Sequence, residues 1–207
     1  MPSALSITDI ANMALDYLDE APLTSIDDGT SVARWMKRNF WPMAWGLMRK
    51  HPWNFAIART SLAAAAVPPL FGWAQAYPLP ADCLRVLAPT TDGSEDGPPL
   101  PHRVEGQSLL TDQLAPLNLR YIRRIDNTGL FDNQFCDALA AALAQKAAHF
   151  ITGKQSYAQT LAQVFAGLMN EAQTVDALEG TPDAPIDGDW LNARDRKSTR
   201  LNSSHRP

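Results

Sequence analysis

Cysteine is scarce in this 207-residue sequence, and it contains no long hydrophobic run. Cys83 and Cys136 are the only cysteines, which excludes a disulfide-built scaffold and is typical of a reducing compartment. Apolar runs such as Leu62 to Val67 are far shorter than the ~20 residues with which a helix crosses a bilayer. The N-terminus lacks the basic and apolar regions of a signal peptide. We therefore expect no membrane segment and assembly in the cytoplasm.

An excess of positive charge is also missing, since 18 lysines and arginines stand against 22 aspartates and glutamates, a net charge of −4. Four of those basic residues and one acid lie in 195–207, which resembles the in-frame translation of a common sequencing adapter. A native segment of this kind would be a basic tail that contacts DNA or phosphate, but we expect it not to be native. The remaining chain holds 14 basic and 21 acidic residues, a net charge of −7, which argues against a protein that coats nucleic acid.

Motifs of catalysis and metal binding are missing as well. The histidines share no helical face and have no acid or cysteine at metal-ligand spacing; they are His51, His102, His149 and His205. No Gly-x-Ser-x-Gly elbow of a hydrolase is present. Neighbouring carboxylates, such as Asp27–Asp28, lie in polar loops. The sequence predicts no enzyme activity, no catalytic residue, no bound metal and no cofactor.

Hydrophobic residues make up 45% of the chain and recur with helical spacing in four segments. The first stripe begins with Ile7, Ile10 and Ala14, and steps of three and four residues indicate an amphipathic helix that buries one face. The two C-terminal helices are joined by a short connection and should pack antiparallel. The predicted helices cover about 6–20, 30–51, 132–151 and 156–178.

The middle of the chain, about 55–125, has a different pattern. Apolar residues alternate over 83–87 and 118–125, and less regularly over 55–62, which predicts short strands. Prolines interrupt the rest, and proline cannot donate the hydrogen bond that a strand interior requires. The acidic stretch 90–97 is predicted to be a solvated loop. We therefore expect a mainly α protein of α+β type, in which a four-helix core carries a small, short-stranded β insertion between its two pairs of helices.

Beyond residue 178 the helical pattern ends. Residues 179–194 are rich in proline, glycine and aspartate and are predicted to form an extended acidic arm with two apolar anchors, Ile186 and Trp190. Such an arm can become ordered when it binds a partner. The single folded domain is therefore expected over 1–178.

Tryptophan is frequent, with six in the chain. Trp41 and Trp45 lie one turn apart on the second predicted helix, among five basic residues between positions 34 and 50. Aromatic rings with interleaved positive charge can bind nucleic acid, but Trp and Arg are also enriched in protein interfaces. Because the domain is acidic, we favour a subunit interface and predict Trp41 and Trp45 as contact residues.

Five segments, in this order, resemble one protein family. They read Ile-Ala-Asn-Met-Ala-Leu-Asp-Tyr-Leu (10–18), His-Pro-Trp-Asn-Phe-Ala (51–56), Tyr-Pro-Leu-Pro-Ala-Asp-Cys-Leu-Arg-Val-Leu (77–87), Leu-Arg-Tyr-Ile-Arg-Arg (119–124) and Phe-Asp-Asn-Gln-Phe-Cys-Asp-Ala-Leu-Ala-Ala-Ala-Leu-Ala (131–144). Together they resemble the tail tubular protein A family of tailed bacteriophages, the head-to-tail adaptors. The resemblance covers about 4–178, and the tail beyond Arg194 matches nothing in such proteins.

The resemblance implies a structural virion protein of the tail or neck. Adaptors of this family form a twelve-fold ring beneath the portal protein and join it to the tail nozzle around the DNA exit channel. The implied partners are other copies of the chain, the portal and the nozzle, and DNA passes through without specific binding. The family supplies no catalytic motif, so no chemical role is carried over to any residue. We expect the arm 179–194 to contact the portal and the β insertion to face the tail.

Two other functions stay open from the sequence. Some phage tail-base proteins cut peptidoglycan, which would require a buried acid with a carboxylate partner; the sequence offers no such pair. A small helical DNA-binding protein would show salt-sensitive affinity for duplex DNA. Within the adaptor prediction, the sequence does not separate a podovirus-type from a siphovirus-type connector. A ring with head-to-tail contacts requires two different, complementary patches on each subunit.

Overall fold

The computed structural model describes residues 5–153 and 155–179 of the chain. Its α-helices are α1 (Ile7–Asp16), α2 (Ser31–Lys50), α3 (Asn133–Thr152) and α4 (Gln155–Leu178). Between α2 and α3 lie β1 (Ile57–Leu62), β2 (Gln75–Pro78), β3 (Cys83–Val86), β4 (Arg103–Glu105), β5 (Ser108–Thr111) and β6 (Leu117–Arg123). The predicted arm beyond Glu179, with its anchors Ile186 and Trp190, and the segment 195–207 lie outside the described residues.

Local hydrogen bonds set the ends of the helices. At the start of α1 the Asp9 amide donates to Ser6 Oγ (3.2 Å), and the Ser6 amide donates to the Asp9 carboxylate (2.8 Å). At the start of α2, Thr30 Oγ1 accepts from the Ala33 amide (3.1 Å). Such caps satisfy amide groups that have no partner inside the helix. Helix α3 ends at Gly153, whose left-handed backbone (φ 68°) closes its last turn and turns the chain towards α4.

The strands form two antiparallel sheets of three strands each. In the first sheet, β6 lies between β1 and β3, with Ile57 opposite Ile122 and Val86 opposite Tyr121. In the second sheet, β5 lies between β2 and β4, with Gln75 opposite Thr111. The first sheet thus pairs the first strand, β1, with the last strand, β6. The three strands of the second sheet all lie between these two in the sequence.

Two hydrophobic cores share strand β6. The larger core lies among the helices, where α3 packs against α1, α2 and α4, and it includes Ile122 of β6. The smaller core is formed by the two sheets and contains Leu117, Leu119 and Tyr121 of β6 together with Tyr77 of β2. Because successive side chains of a strand point to opposite faces, β6 supplies one face to each core.

The prediction of a mainly α protein with a four-helix core and a small β insertion is wrong. The strands form two sheets that build a hydrophobic core of their own. The helices are centred on α3, which makes the main contacts of the other three, and do not form a quartet around a common axis. Over the described residues the fold is an α+β arrangement of four helices and two three-stranded antiparallel sheets. Strands β2, β4 and β5 were not expected because they lie in a proline-rich segment, yet an edge strand such as β2 tolerates a terminal Pro78.

Helix α1 is shorter than the predicted 6–20. It ends at Asp16, and Asp19 has a positive φ of 54°, which is incompatible with continuing a right-handed helix. The other three helices begin and end within one residue of the predicted positions. No helix of the described residues combines the length and hydrophobicity that crossing a membrane requires.

Candidate interaction surfaces

Helix α2 presents a basic face to solvent. Arg34, Arg38, Pro42, Trp45 and Arg49 follow one another at steps of three or four residues, so they share one face of the helix. The arginines and the proline are exposed, and the tryptophan is half-buried. The opposite face of α2 is buried in the larger core. Because α2 contains no aspartate or glutamate, the positive charges of this basic face are not neutralised within the helix.

Trp41 and Trp45, the tryptophans predicted as contact residues, lie half-buried at the edge of the basic face. Their rings stack with 5.9 Å between centroids, and Trp41 also meets Phe131 edge-on at 6.3 Å. Trp45 Nε1 donates to the main-chain carbonyl of Ile125 (3.3 Å), and the Arg124 guanidinium lies over its ring at 5.3 Å. Both rings therefore join α2 to the segment after β6 and stay partly accessible. Their contact with a partner remains a prediction.

The first sheet holds the C-terminal end of the basic face in place. Arg49 Nη1 donates to the main-chain carbonyl of Leu84 in β3, and Arg85 Nη1 donates to the carbonyl of Lys50 (3.2 Å). These are bonds to neutral carbonyls, so they leave the charge of each arginine uncompensated. Within the part of the chain that the structure describes, the arginines of the basic face form no ion pair.

The loop between β1 and β2 exposes large apolar side chains. Val67, Leu70 and Phe71 are 75%, 96% and 86% exposed, and no charged residue occurs between Arg59 and Asp82. The loop borders an open groove of about 400 Å³. Soluble proteins seldom expose several large apolar side chains together, and such patches mark interaction sites. We call Val67–Phe71 the apolar loop.

A polar cluster joins the last turns of α4 to the end of α2. Asp176 is 6% exposed; its Oδ2 lies 3.0 Å from His51 Nε2, and its Oδ1 accepts from the Asn54 amide (2.8 Å). The Asn54 side chain donates to the main-chain carbonyl of Asp176 (2.6 Å). Buried polar groups are normally paired in this way. Both carboxylate oxygens are engaged, so the cluster fastens α4 and offers no free base.

An open cleft of about 390 Å³ lies beside this cluster. In it, Glu95 Oε1 accepts from Arg59 Nη2 (3.1 Å) and from Arg120 Nη1. Burial and the neighbouring Arg59 lower the pKa of the Arg120 guanidinium. The predicted solvated loop 90–97 is therefore anchored to β1 and β6, and Thr90 within it is buried. The charged groups that face this cleft are paired with one another, which does not suit it for catalysis.

Acidic side chains gather where the end of α1 meets α3 and α4. Burial and the nearby Glu171 carboxylate on α4 raise the pKa of Asp137 on α3. Burial and, to a lesser extent, Asp137 raise the pKa of Tyr17 at the end of α1. Tyr157 Oη on α4 donates to Asp19 (3.3 Å). None of these carboxylates forms an ion pair with another described residue. We call this group the acidic patch: Asp16, Asp19, Glu20, Asp137 and Glu171.

Neither cysteine is a candidate nucleophile. Cys136 is 1% exposed, and burial, together with Asp137 and Asp132, raises the pKa of its thiol to about 12. Burial also raises the pKa of Cys83, a half-buried residue at the start of β3. Within residues 5–153 and 155–179, no three His, Cys, Asp or Glu side chains are arranged to hold a metal ion.

Comparison with known proteins gives no assignment for the chain. No protein-family model matches it, and no curated protein matches it. The surfaces described above and the resemblance of the five sequence segments therefore carry the assignment of function.

The structure brings together residues that the sequence pattern could not connect. Asp176 and His51 are 125 positions apart, and no sequence motif indicates that they are in contact. Leu70 and Phe71 follow the apolar run 62–67. From the sequence we concluded of this run only that it is too short to span a membrane. In the sequence, the exposed loop is indicated by Pro68 and Pro69, which are followed by apolar residues and have no charged residue nearby. The predicted anchors Ile186 and Trp190 lie outside the described residues and remain predictions.

Proposed function

We propose that this protein is a structural component of a tailed-bacteriophage virion, a head-to-tail adaptor that forms a ring between the portal protein and the tail nozzle around the DNA exit channel. The resemblance of five segments in order supports the proposal. It is also supported by exposed surfaces suited to protein contacts, and by a cleft whose charged groups are already paired. The protein acts by fitting against its neighbours, and no bond is made or broken.

The apolar loop is the observation that carries the proposal. Leu70 and Phe71 project almost fully into water, and burial of one such side chain contributes about 1.5–3 kcal/mol. A protein that works alone gains nothing from this exposure, whereas an adaptor requires a surface that a partner covers. We assign the apolar loop, on the strand-rich part of the chain, to the contact with the nozzle, and the helices to contacts between subunits.

A peptidoglycan-cutting enzyme has less support. It requires a general acid of raised pKa that faces a second carboxylate across a bound sugar. Asp137 has a raised pKa and lies close to Glu171, but this pair belongs to the acidic patch and lines none of the clefts described above. We therefore expect the wild-type protein not to digest purified peptidoglycan. Digestion that is lost in Asp137→Asn would establish the enzyme instead.

Reconstitution with the portal and nozzle proteins encoded in the same genome tests the adaptor proposal. We expect the wild-type chain to bridge the two proteins in a ring-shaped complex visible by electron microscopy. The double variant Leu70→Ser/Phe71→Ser should bind the nozzle at least about tenfold more weakly, because two large apolar side chains leave the contact. It should bind the portal as before and keep its fold, since both side chains are exposed.

Leu114→Ser/Leu178→Ser is the matched control for this experiment. These leucines are also exposed, at 72% and 78%, but they lie outside the apolar loop, so the control should bind the nozzle like the wild type. Equal behaviour of the two double variants would remove the apolar loop from the nozzle contact. A wild-type chain that binds neither portal nor nozzle would show that the adaptor function is wrong.

A further inference from the structure

We propose that the basic face of α2 is the surface on which a second copy of this chain docks, and that it receives the acidic patch of that copy. The proposal rests on the adaptor function, which requires subunits to contact one another, and it specifies which two surfaces meet.

Charge is segregated between the first helix and the second. The first 33 residues contain no lysine, arginine or histidine, while α2 contains no acid. The acids of the first segment are Asp9, Asp16, Asp19, Glu20, Asp27 and Asp28, and the bases of α2 are Arg34, Lys37, Arg38, Arg49 and Lys50. A surface that simply needs to be soluble mixes both signs, so two adjacent blocks of opposite sign indicate another use.

The two blocks are hardly neutralised within the subunit. A single ion pair joins them among the described residues, between Lys37 Nζ and Asp27 (2.6 Å), and both side chains are about two-thirds exposed. Over residues 5–153 and 155–179, the arginines of the basic face and the carboxylates of the acidic patch take part in no ion pair. Each surface therefore keeps an unbalanced charge that a partner of opposite sign can compensate.

The signs of the two surfaces determine which of them can meet. Like charges across an interface repel, so the basic face does not pack on the basic face of another copy, nor the acidic patch on another acidic patch. A contact of the basic face with the acidic patch joins two different surfaces of identical subunits. When the two surfaces of one subunit meet two different neighbours, the contact is head-to-tail and generates a ring if the rotation between subunits closes.

Nucleic acid fits the basic face less well than a second copy does. Stacking of bases needs open aromatic rings, but Trp41 and Trp45 are half-buried and stack on each other, and Arg124 covers part of Trp45. The acidic chain as a whole repels a polyanion, whereas it carries a complementary surface for its own copy. Binding of DNA is therefore kept as an outcome of the test.

The test measures self-association of the purified full chain by sedimentation equilibrium up to about 1 mM, at about 10 mM and about 1 M salt, between which the Debye length falls from roughly 30 Å to 3 Å. We expect the wild-type mass to rise with concentration at low salt and to stay monomeric at high salt. Arg34→Glu/Arg38→Glu should associate at least about tenfold more weakly at low salt, because two attractive contacts become repulsive.

Arg59→Glu/Arg103→Glu is the control, since it makes the same charge change on exposed arginines of β1 and β4 and should associate like the wild type. Asp16→Lys/Glu20→Lys/Glu171→Lys replaces three of the five acids of the acidic patch by lysine, which makes the patch positive, and this variant should fail to associate alone. Mixed in equal amounts with Arg34→Glu/Arg38→Glu, it should restore association, because each reversed surface then meets its complement. Circular dichroism checks that every variant is folded.

Several results would overturn the docking of the two surfaces. One is a wild-type chain that stays monomeric at about 1 mM in low salt. Another is an equal loss of self-association in Arg34→Glu/Arg38→Glu and in the control Arg59→Glu/Arg103→Glu. The third is a mixture of the basic-face and acidic-patch variants that does not regain association. Duplex DNA binding that is lost in Arg34→Glu/Arg38→Glu, without self-association, would assign the basic face to nucleic acid instead. Because the test uses this chain alone, self-association without binding to portal or nozzle would uphold the docking surfaces while the adaptor function fails.

Discussion

At the scale of single residues, Asp176 connects the C-terminal end of α4 to the chain after α2. It is the one buried charged side chain among the described residues, and its carboxylate is shared by His51 and the Asn54 amide. The pairing depends on two helices that lie at opposite ends of the sequence. No local pattern around Asp176 could have predicted this pairing. From helix periodicity alone, an acid in the last turns of α4 is expected to be exposed to solvent.

Replacement of Asp176 by alanine should destabilise the protein by about 3 kcal/mol, because it leaves His51 and the Asn54 amide without their partner in a largely buried site. Urea unfolding followed by circular dichroism measures this loss. Asp126→Ala is the comparison, since Asp126 pairs with Arg124 at the surface and should cost at most about 1 kcal/mol. Similar losses in the two variants would show that the Asp176 cluster does not hold α4 in place.

At the scale of elements, the connection between α3 and α4 depends on one backbone conformation. Gly153 has φ 68°, a region that residues with a Cβ adopt only at a cost. Gly167, by contrast, lies exposed inside α4 with ordinary helical geometry, and a Cβ at either position would meet no atom. The two glycines therefore differ in backbone conformation and not in available space.

The same substitution should have opposite effects at these two positions. Gly153→Ala should destabilise the protein by about 1 kcal/mol, because alanine strains the left-handed turn. Gly167→Ala should stabilise it by up to about 1 kcal/mol, because alanine is the better helix former. Thermal unfolding of both variants beside the wild type gives the two signs. A stabilising Gly153→Ala would mean that α3 and α4 are joined in another way.

The elements were predictable where a local pattern was long enough. Helices α2, α3 and α4 carry stripes of three or more turns, and strands β1, β3 and β6 lie where apolar residues alternate. Strand β4 has only three residues, and β5, with the sequence Ser-Leu-Leu-Thr, does not alternate, so neither shows a period that could be recognised. The second sheet depends on pairing between segments such as Gln75–Pro78 and Ser108–Thr111, and such non-local contacts leave no periodic trace in the sequence.

At the scale of the whole molecule, the distribution of charge was readable from the sequence but its consequence was not. The basic residues around Trp41 and Trp45 predicted a contact surface on α2. The acidic patch required the fold, because Asp137 comes near Tyr17, and Glu171 near Asp137, only when α1, α3 and α4 pack together. The apolar loop likewise required the structure, since an apolar residue in a loop can be buried as readily as exposed.

The pH dependence of stability should differ in sign between two aspartates. Burial and Glu171 raise the pKa of Asp137, so its ionised form costs stability at neutral pH, and that cost disappears as pH falls from above the raised pKa towards the ordinary value. Hydrogen bonds from Ser6 lower the pKa of Asp9, so its ionised form stabilises the protein at neutral pH, and this stabilisation is lost as pH falls through the lowered pKa.

Asp137→Asn should therefore raise the melting temperature at pH 7 and bring no gain at pH 3, where the wild-type carboxyl is protonated. Asp9→Asn should lower the melting temperature at pH 7, with a smaller effect in acid. Differential scanning calorimetry from pH 3 to pH 7 measures both. A gain from Asp137→Asn that does not change with pH would show that its carboxylate is not under strain from burial and Glu171.

Strand β6 has apolar side chains on both faces, Ile122 towards the helices and Leu117, Leu119 and Tyr121 towards the second sheet. If β6 separated from either core, the other core would also lose the packing that β6 provides. Neither half of the molecule can then open while its counterpart stays intact, so heat should melt the helical half and the strand-rich half as one event.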